Sequence, residues 1–222
     1  MDKKNFSIEE TFASAFQQHQ KNNLKEAENL YKKILEIDPN HSKTVFYLGS
    51  LAVQTKNFDR AKQLFQKTIE IQPNHANAHN NLGLIFHELG EFQKAKNCFE
   101  KAIQIQPNFL YAYNNLGISL QELGEFQRAI ISYQKAIQIQ PNYAAAYNNI
   151  GNVLKEKGDF KKAKTSYQKA IQIQPNYAAA HNNLGSLFQE LKEREEAKNC
   201  FKKAIKVDPN YLTSYYNLGK IF

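Results

Sequence analysis

Apolar residues recur at helical spacing along almost the whole chain. The first half of residues 76–109 places them in steps of three and four residues: Ala78, Leu82, Ile85, Phe86 and Leu89. This spacing is typical of the buried face of an α-helix. The second half repeats it at Phe92, Ala95, Phe99, Ala102, Ile103 and Ile105. The pattern predicts two amphipathic helices in this stretch.

Glycine and proline separate the two predicted helices from each other and from their neighbours. Gly90 lies between the helices, where glycine is a common helix terminator. Pro107 follows the second helix, which a proline cannot continue. The sequence therefore predicts an antiparallel helix pair joined by a tight turn and followed by a short link.

The same unit recurs with a period of 34 residues. The six prolines all keep this step: Pro39, Pro73, Pro107, Pro141, Pro175 and Pro209. The nine glycines share it in two series, one starting at Gly49 and the other at Gly90. After an N-terminal tail, 1–7, the units are 8–41, 42–75, 76–109, 110–143, 144–177, 178–211 and the first helix of a seventh, 212–222. Because one pair cannot bury its apolar faces alone, the fold predicted for 8–222 is a single all-α solenoid of antiparallel helix pairs.

The repeated pattern resembles the tetratricopeptide repeat. In residues 76–109 the matching positions are Leu82, Gly83, Phe86, Ala95, Phe99, Ala102 and Pro107. The match covers almost the whole chain, in register six times. The resemblance implies a right-handed superhelix whose first helices line a concave groove. The repeats are similar to those of protein O-linked N-acetylglucosamine transferases.

Pairs of asparagines occupy the predicted groove. The second member of each pair is Asn81, Asn115, Asn149, Asn183 and Asn217, and the first member is Asn80, Asn114, Asn148 and Asn182. A carboxamide both donates and accepts, so it can meet the N–H and C=O groups of an extended backbone. We expect this ladder to bind an extended peptide or protein segment. The alternative is that the asparagines belong to a surface consensus without a dedicated ligand.

The ladder does not extend to the N-terminal end of the chain. Phe46 and Tyr47 stand where the later repeats have an asparagine pair. They could anchor a side chain of the partner, or they could pack on the first repeat as part of an N-terminal cap. The sequence leaves both possibilities open.

The net charge of +8 raises the question of an anionic partner. Its placement argues against nucleic acid, because acids such as Glu88, Glu122 and Glu156 end the first helices while the bases cluster on the second helices. A groove for nucleic acid would need the reverse arrangement. We therefore predict a protein or peptide partner, no nucleic acid and no membrane insertion.

Motifs for catalysis, metal ions and cofactors are not found in the sequence. Cys98 and Cys200 lie three repeats apart, too far for a disulfide, and fit a cytoplasmic location. His75 and His79 are four residues apart, but His75 falls in a link between repeats, so no metal site is predicted. No phosphate loop or nucleophile elbow occurs. We expect no cofactor and no catalytic activity from these residues.

The seventh unit suggests two further hypotheses. Leu218 and Phe222 continue the buried pattern of a first helix, and no second helix follows. The chain could be the substrate-recruiting arm of a larger glycosyltransferase or methyltransferase. It could also associate end to end with other copies through 212–222.

Overall fold

The computed structural model describes residues 7–221, and these residues form thirteen α-helices. They are α1 (Ile8–Gln20), α2 (Leu24–Ile37), α3 (Ser42–Gln54), α4 (Phe58–Ile71), α5 (Ala76–Glu88), α6 (Phe92–Ile105), α7 (Leu110–Glu122), α8 (Phe126–Ile139), α9 (Ala144–Glu156), α10 (Phe160–Ile173), α11 (Ala178–Glu190), α12 (Arg194–Val207) and α13 (Leu212–Gly219). The predicted helix pairs and their 34-residue period are thereby confirmed. Phe222 and the tail before Ser7 lie outside the described residues.

The helices group into two compact units, Met1–Pro107 and Asn108–Phe222. Unit 1 contains α1 to α6 and unit 2 contains α7 to α13. In each unit, consecutive helices pack as antiparallel pairs, and the second helix of a pair also packs on the first helix of the next. Each unit is therefore a stack of helix pairs.

The turn inside each helix pair places one residue in the left-handed region. Gly90 has φ 72° and the neighbouring amides close the helix end, with Glu91 N–H donating to the Phe86 carbonyl at 2.8 Å. Such a turn favours glycine. The other turns use the same register with Asn22, Lys56, Gly124, Gly158 and Lys192. Asparagine and lysine can thus replace the glycine without altering the turn.

A glycine and an aromatic ring pack together inside each regular helix pair. Gly83 lies against Phe99, and a Cβ atom at Gly83 would approach the ring to 2.7 Å. Phe99 is fully buried, as are its counterparts Phe65, Tyr133, Tyr167 and Phe201. This close approach holds the two helices of a pair together and fixes which sides of the first helix remain outside the core.

Candidate functional site

One side of the first helices carries the second asparagine of each pair, and we call it the ladder face. Asn81 lies on the ladder face of unit 1; unit 2 carries Asn115, Asn149, Asn183 and Asn217. All five are half-buried. Each sits one residue before a leucine or isoleucine that is buried or half-buried, which fixes its direction relative to the core.

The first asparagine of each pair is more deeply buried than the second. The exposed fractions of Asn80, Asn114, Asn148 and Asn182 are 6%, 7%, 4% and 4%. Buried amides require hydrogen-bond partners. In unit 2 these partners are the second asparagines of the following repeats.

A chain of amide hydrogen bonds links successive repeats of unit 2. Asn149 Nδ2 donates to Asn114 Oδ1 at 3.1 Å, and Asn183 Nδ2 donates to Asn148 Oδ1 at 3.0 Å. Asn182 Oδ1 accepts from Asn217 Nδ2 at 3.0 Å and from Ser214 Oγ at 3.1 Å. These bonds hold the carboxamides of Asn149, Asn183 and Asn217 in fixed orientations. The first asparagines, expected in the groove from the sequence, therefore mainly bind the next repeat.

The second asparagines differ in how much hydrogen-bonding capacity they retain. A carboxamide has two N–H groups and two lone pairs on its oxygen. Within residues 7–221, Asn149 uses one N–H toward Asn114, and its oxygen accepts a long bond of 3.4 Å from Asn148. Asn183 uses both N–H groups, toward Asn148 and toward Asn152 Oδ1 at 3.0 Å. Asn149 thus keeps one N–H for a ligand, whereas Asn183 offers only its oxygen.

Tyr167 holds the side chain of Asn152, the second hydrogen-bond acceptor of Asn183, in place. Its phenol donates to Asn152 Oδ1 at 2.9 Å, the same oxygen that Asn183 contacts. Burial, and after it the carboxylates of Glu190 and Glu156, raise the pKa of Tyr167. The phenol therefore stays protonated and remains a donor at neutral pH.

Aromatic rings replace the amides at the N-terminal end of unit 1. Tyr47 meets Phe12 edge-on with 5.5 Å between ring centroids and Phe16 at 5.1 Å. Phe46 packs on Phe65 at 5.6 Å and stacks on His75 at 4.7 Å. Both rings are half-buried in clusters of the first three helix pairs. Of the two roles considered for them, this packing favours the N-terminal cap.

An apolar notch opens on the ladder face between α3 and α5. It has a volume of about 630 Å³, and its apolar walls are Val53, Phe58, Leu84 and Ile85. Asn81 also lines it, as do the exposed side chains of Lys56 and Glu88. We refer to it as the apolar notch.

A smaller polar notch lies in the corresponding register of unit 2. It has a volume of about 250 Å³ and includes Asn152, Lys155, Asn183 and Ser186. Three repeats, or 102 residues, separate Asn152, Lys155, Asn183 and Ser186 from Ser50, Val53, Asn81 and Leu84. Lys155 is paired with Glu190 at 2.7 Å. Sequence reasoning missed both notches, although Val53, at a register that is polar in every other repeat, was a usable signal.

The remaining candidate chemistry is structural in character. Cys98 and Cys200 are free thiols, and burial raises the pKa of Cys98 to about 11. His79 and His181 each contact a proline carbonyl of the preceding link, at 3.0 and 2.9 Å. No group of three His, Cys, Asp or Glu side chains in residues 7–221 is arranged to hold a metal ion.

A membrane-spanning helix is also not found in the described part of the chain, because none of its helices combines the required length with sufficient apolar character.

The Glu88 and Glu156 carboxylates lie on the ladder face, at the notches. Lysines of the second helices, such as Lys94 and Lys162, form ion pairs within their own helix turns.

Several solved structures share this architecture. YrrB, described as a TPR protein with an unusual peptide-binding site, has 22% identity and a TM-score of 0.64, covering 84% of this chain and 96% of its own. MamA has 27% identity and a TM-score of 0.65, with coverages of 76% and 92%. Pseudomonas aeruginosa pilF has 17% identity and a TM-score of 0.79, with coverages of 96% and 97%. No curated protein sequence matches the chain significantly.

Four family models of the tetratricopeptide repeat match the sequence. The matched residues are 18–85, 76–109, 98–131, 120–158, 151–192 and 178–211. Together they span 18–211 without a gap, in agreement with the helix pairs and the 34-residue register of the structure. The chain therefore belongs to the tetratricopeptide-repeat family.

Proposed function

We propose that this protein is a protein-interaction scaffold that holds an extended polypeptide segment along its ladder face. The observation that carries the proposal is the hydrogen-bonding capacity that Asn149 leaves unused. Its carboxamide is oriented by Asn114 and Asn148 on one side and keeps one N–H and one lone pair for a ligand. These are the two groups needed to meet a C=O and an N–H of a peptide backbone.

Preorganisation makes such a ladder effective. A free asparagine side chain would lose rotamer entropy when it bound a ligand, whereas a carboxamide already held by its neighbours loses less. The first asparagines provide this support, since Asn148 and Asn182 accept hydrogen bonds from the following repeat. In this proposal the second asparagines contact the ligand and the first ones position them.

The chemistry of the ladder face favours a polypeptide over nucleic acid. Acidic side chains accompany the basic ones there, Glu88 with Lys56 and Glu156 with Lys155, so neither notch has the excess of positive charge that phosphates require. The peptide-binding site reported for YrrB, a protein of the same fold, agrees with this proposal. A backbone-directed ladder also accepts many side chains, because every extended segment offers the same N–H and C=O groups.

A peptide-display experiment tests the proposal. Random twelve-residue peptides are selected on the full chain, and the enriched peptides are synthesised and titrated by fluorescence anisotropy. Replacing Asn115 and Asn149 by Ala should weaken binding by about tenfold, from two hydrogen bonds of about 0.5–1.5 kcal/mol each. The matched control is Asn142→Ala with Asn176→Ala, since these asparagines are exposed in the links between repeats.

The two variants separate ladder binding from other effects. Circular dichroism and thermal unfolding establish that each variant is folded. Unchanged affinity in a folded Asn115/Asn149 variant would contradict the proposal. Equal losses in both double variants would do so as well, because they would show that binding does not depend on the ladder.

A further inference from the structure

We propose that the apolar notch of unit 1 is a specificity pocket that takes one uncharged aliphatic side chain of the bound segment. This inference rests on the proposed function and deepens it. The ladder recognises a backbone and ignores its side chains, so selectivity has to come from another feature. Asn81, the ladder asparagine of unit 1, lines the apolar notch.

Two aliphatic side chains of the notch are exposed to solvent. Val53 is 37% exposed and Leu84 is 42% exposed, while Phe58 is half-buried beside them. Exposed apolar side chains that share one cleft are a typical feature of binding sites. An aliphatic side chain placed there would cover both Val53 and Leu84 and remove their surface from water.

The polar notch shows that this apolar character does not come from the fold. Going from the apolar notch to the polar one replaces Val53 by Lys155 and Leu84 by Ser186. The helices, their turns and the ladder asparagine occupy the same register in both places. Val53 and Leu84 are therefore the aliphatic side chains that distinguish the apolar notch from the polar one.

The charges of the apolar notch define the occupant further. Lys56 and Glu88 carry opposite charges and both line the apolar notch. Their fields largely cancel, so neither an acidic nor a basic side chain is attracted into the pocket. An uncharged aliphatic residue fits the walls and leaves both charges in water. A backbone held at Asn81 would carry this residue directly beside Leu84, three residues further along α5.

The test uses residues that this chain already places in the same register. Val53→Gln introduces the residue of Gln121 and Gln189, and Leu84→Ser introduces the residue of Ser50 and Ser186. The helices should tolerate both, since Val53 and Leu84 contribute little to the core. The matched control is Ile131→Ser on α8, which removes a 48% exposed aliphatic side chain outside the notch.

The probes are the twelve-residue peptides enriched by display on the wild-type chain. We expect them to share one aliphatic position. Changing that residue to Ser in the peptide, or changing Val53 and Leu84 in the protein, should each weaken binding at least tenfold, the effect of removing a buried leucine-sized contact. The two changes combined should cost little more than either one alone. The methyl resonances of Val53 and Leu84 should shift on binding.

Each other outcome overturns the inference. If the Val53/Leu84 variant binds like the Ile131 variant, the apolar notch is not the pocket, and a loss of binding in the Asn115/Asn149 variant would still uphold the ladder. If the enriched peptides share a charged residue or no residue at all, the aliphatic occupant is wrong. If the Val53/Leu84 variant instead abolishes a concentration-dependent dimer seen by sedimentation, the occupant is a second copy of the chain.

Discussion

The same contact between successive repeats is aromatic in unit 1 and a hydrogen bond in unit 2. Phe12 and Tyr47 are 35 residues apart and meet as an edge-to-face ring pair at 5.5 Å. Asn114 and Asn149 are also 35 residues apart and share a hydrogen bond of 3.1 Å. The fold brings the two positions together in both units, and the side chains decide what the contact does.

The two kinds of contact differ in the hydrogen-bonding groups that they leave unused. A ring pair is held together by buried apolar area and complementary shape, and it has few hydrogen-bonding groups to offer a ligand. Tyr47 is in addition surrounded by Phe16 and Tyr31, so its ring is largely committed to the fold. An amide pair uses part of its hydrogen-bonding capacity internally and presents the rest outward. The aromatic end therefore stabilises the stack, and the amide region is the part suited to hold a backbone.

The largest expected effect comes from converting the aromatic contact into the polar one. Tyr47→Asn should lower the free energy of unfolding by about 2–4 kcal/mol, because it removes a half-buried ring from a cluster. Urea denaturation and hydrogen exchange of the α1 amides measure this loss. Tyr111→Asn is the control, since Tyr111 is 59% exposed and should change stability by less than about 0.5 kcal/mol. Similar effects of the two variants would contradict a role for Tyr47 in stabilising the N-terminal end of the stack.

Removing a supporting amide of unit 2 should have a smaller effect. Asn182→Ala deletes the oxygen that accepts from Asn217 and from the fully buried Ser214. We expect a loss of about 1–3 kcal/mol, measured by urea denaturation, because a buried hydroxyl loses its partner. The exposed Asn176 provides the control, as Asn176→Ala breaks no link between repeats. An Asn182 variant as stable as this control would show that the amide chain does not hold the repeats together.

A gain in stability is expected at a core position where Ser119 departs from the apolar residues of neighbouring repeats. Ser119 is fully buried, and its hydroxyl has no hydrogen-bond partner within residues 7–221, whereas unit 1 has Leu51 and Ile85 at this register. Ser119→Val, which copies Val153, should raise the free energy of unfolding by about 1–2 kcal/mol. Ser119→Thr has nearly the same shape as the Val variant but keeps the hydroxyl, so its free energy of unfolding should rise less. Equal stability of the Val and Thr variants would rule out an unsatisfied hydroxyl as the cause.

The smallest expected effect is a pH dependence of stability that arises at the aromatic end of unit 1. Burial lowers the pKa of His19, whose ring meets Tyr31 and Tyr47 edge-on. The folded state therefore favours neutral His19. Its stabilising contribution is complete above the unfolded pKa of about 6.5 and is lost as the pH falls below that value.

His19→Gln tests this dependence with the residue that unit 2 has at the same register, Gln121. The variant should flatten the fall in stability between about pH 6.5 and pH 5. A part of the slope should remain, because burial also lowers the pKa of His75. An unchanged slope in the His19 variant would assign the effect to other groups.

The repeat architecture was predictable from sequence because its signals are local. Glycine, proline and apolar spacing predicted the helix pairs and the turns at Gly90, Gly124 and Gly158. The turns at Lys56 and Lys192 follow only from the register, since lysine has no special preference for a positive φ. Stacking of neighbouring repeats keeps these turns in place.

The candidate site was only partly predictable. The register correctly paired the asparagines with the first helices, but both members of a pair were expected to face a ligand. Burial of Asn148 and its bond to Asn183 depend on how adjacent repeats stack, which no single repeat encodes. The apolar notch is likewise shared by two helices, and its walls, Val53 and Leu84, lie 31 residues apart in sequence.

The most direct test of the account is a thermodynamic cycle between Asn149 and the backbone of a bound peptide. One enriched peptide is made in versions with single ester bonds, each of which removes one backbone N–H and leaves the side chains unchanged. We predict that one ester weakens binding to the wild-type chain severalfold and has no further effect on the Asn149→Ala variant, a coupling of about 0.5–1.5 kcal/mol. Additive losses at every ester position would show that Asn149 does not bind the ligand backbone and would contradict the ladder.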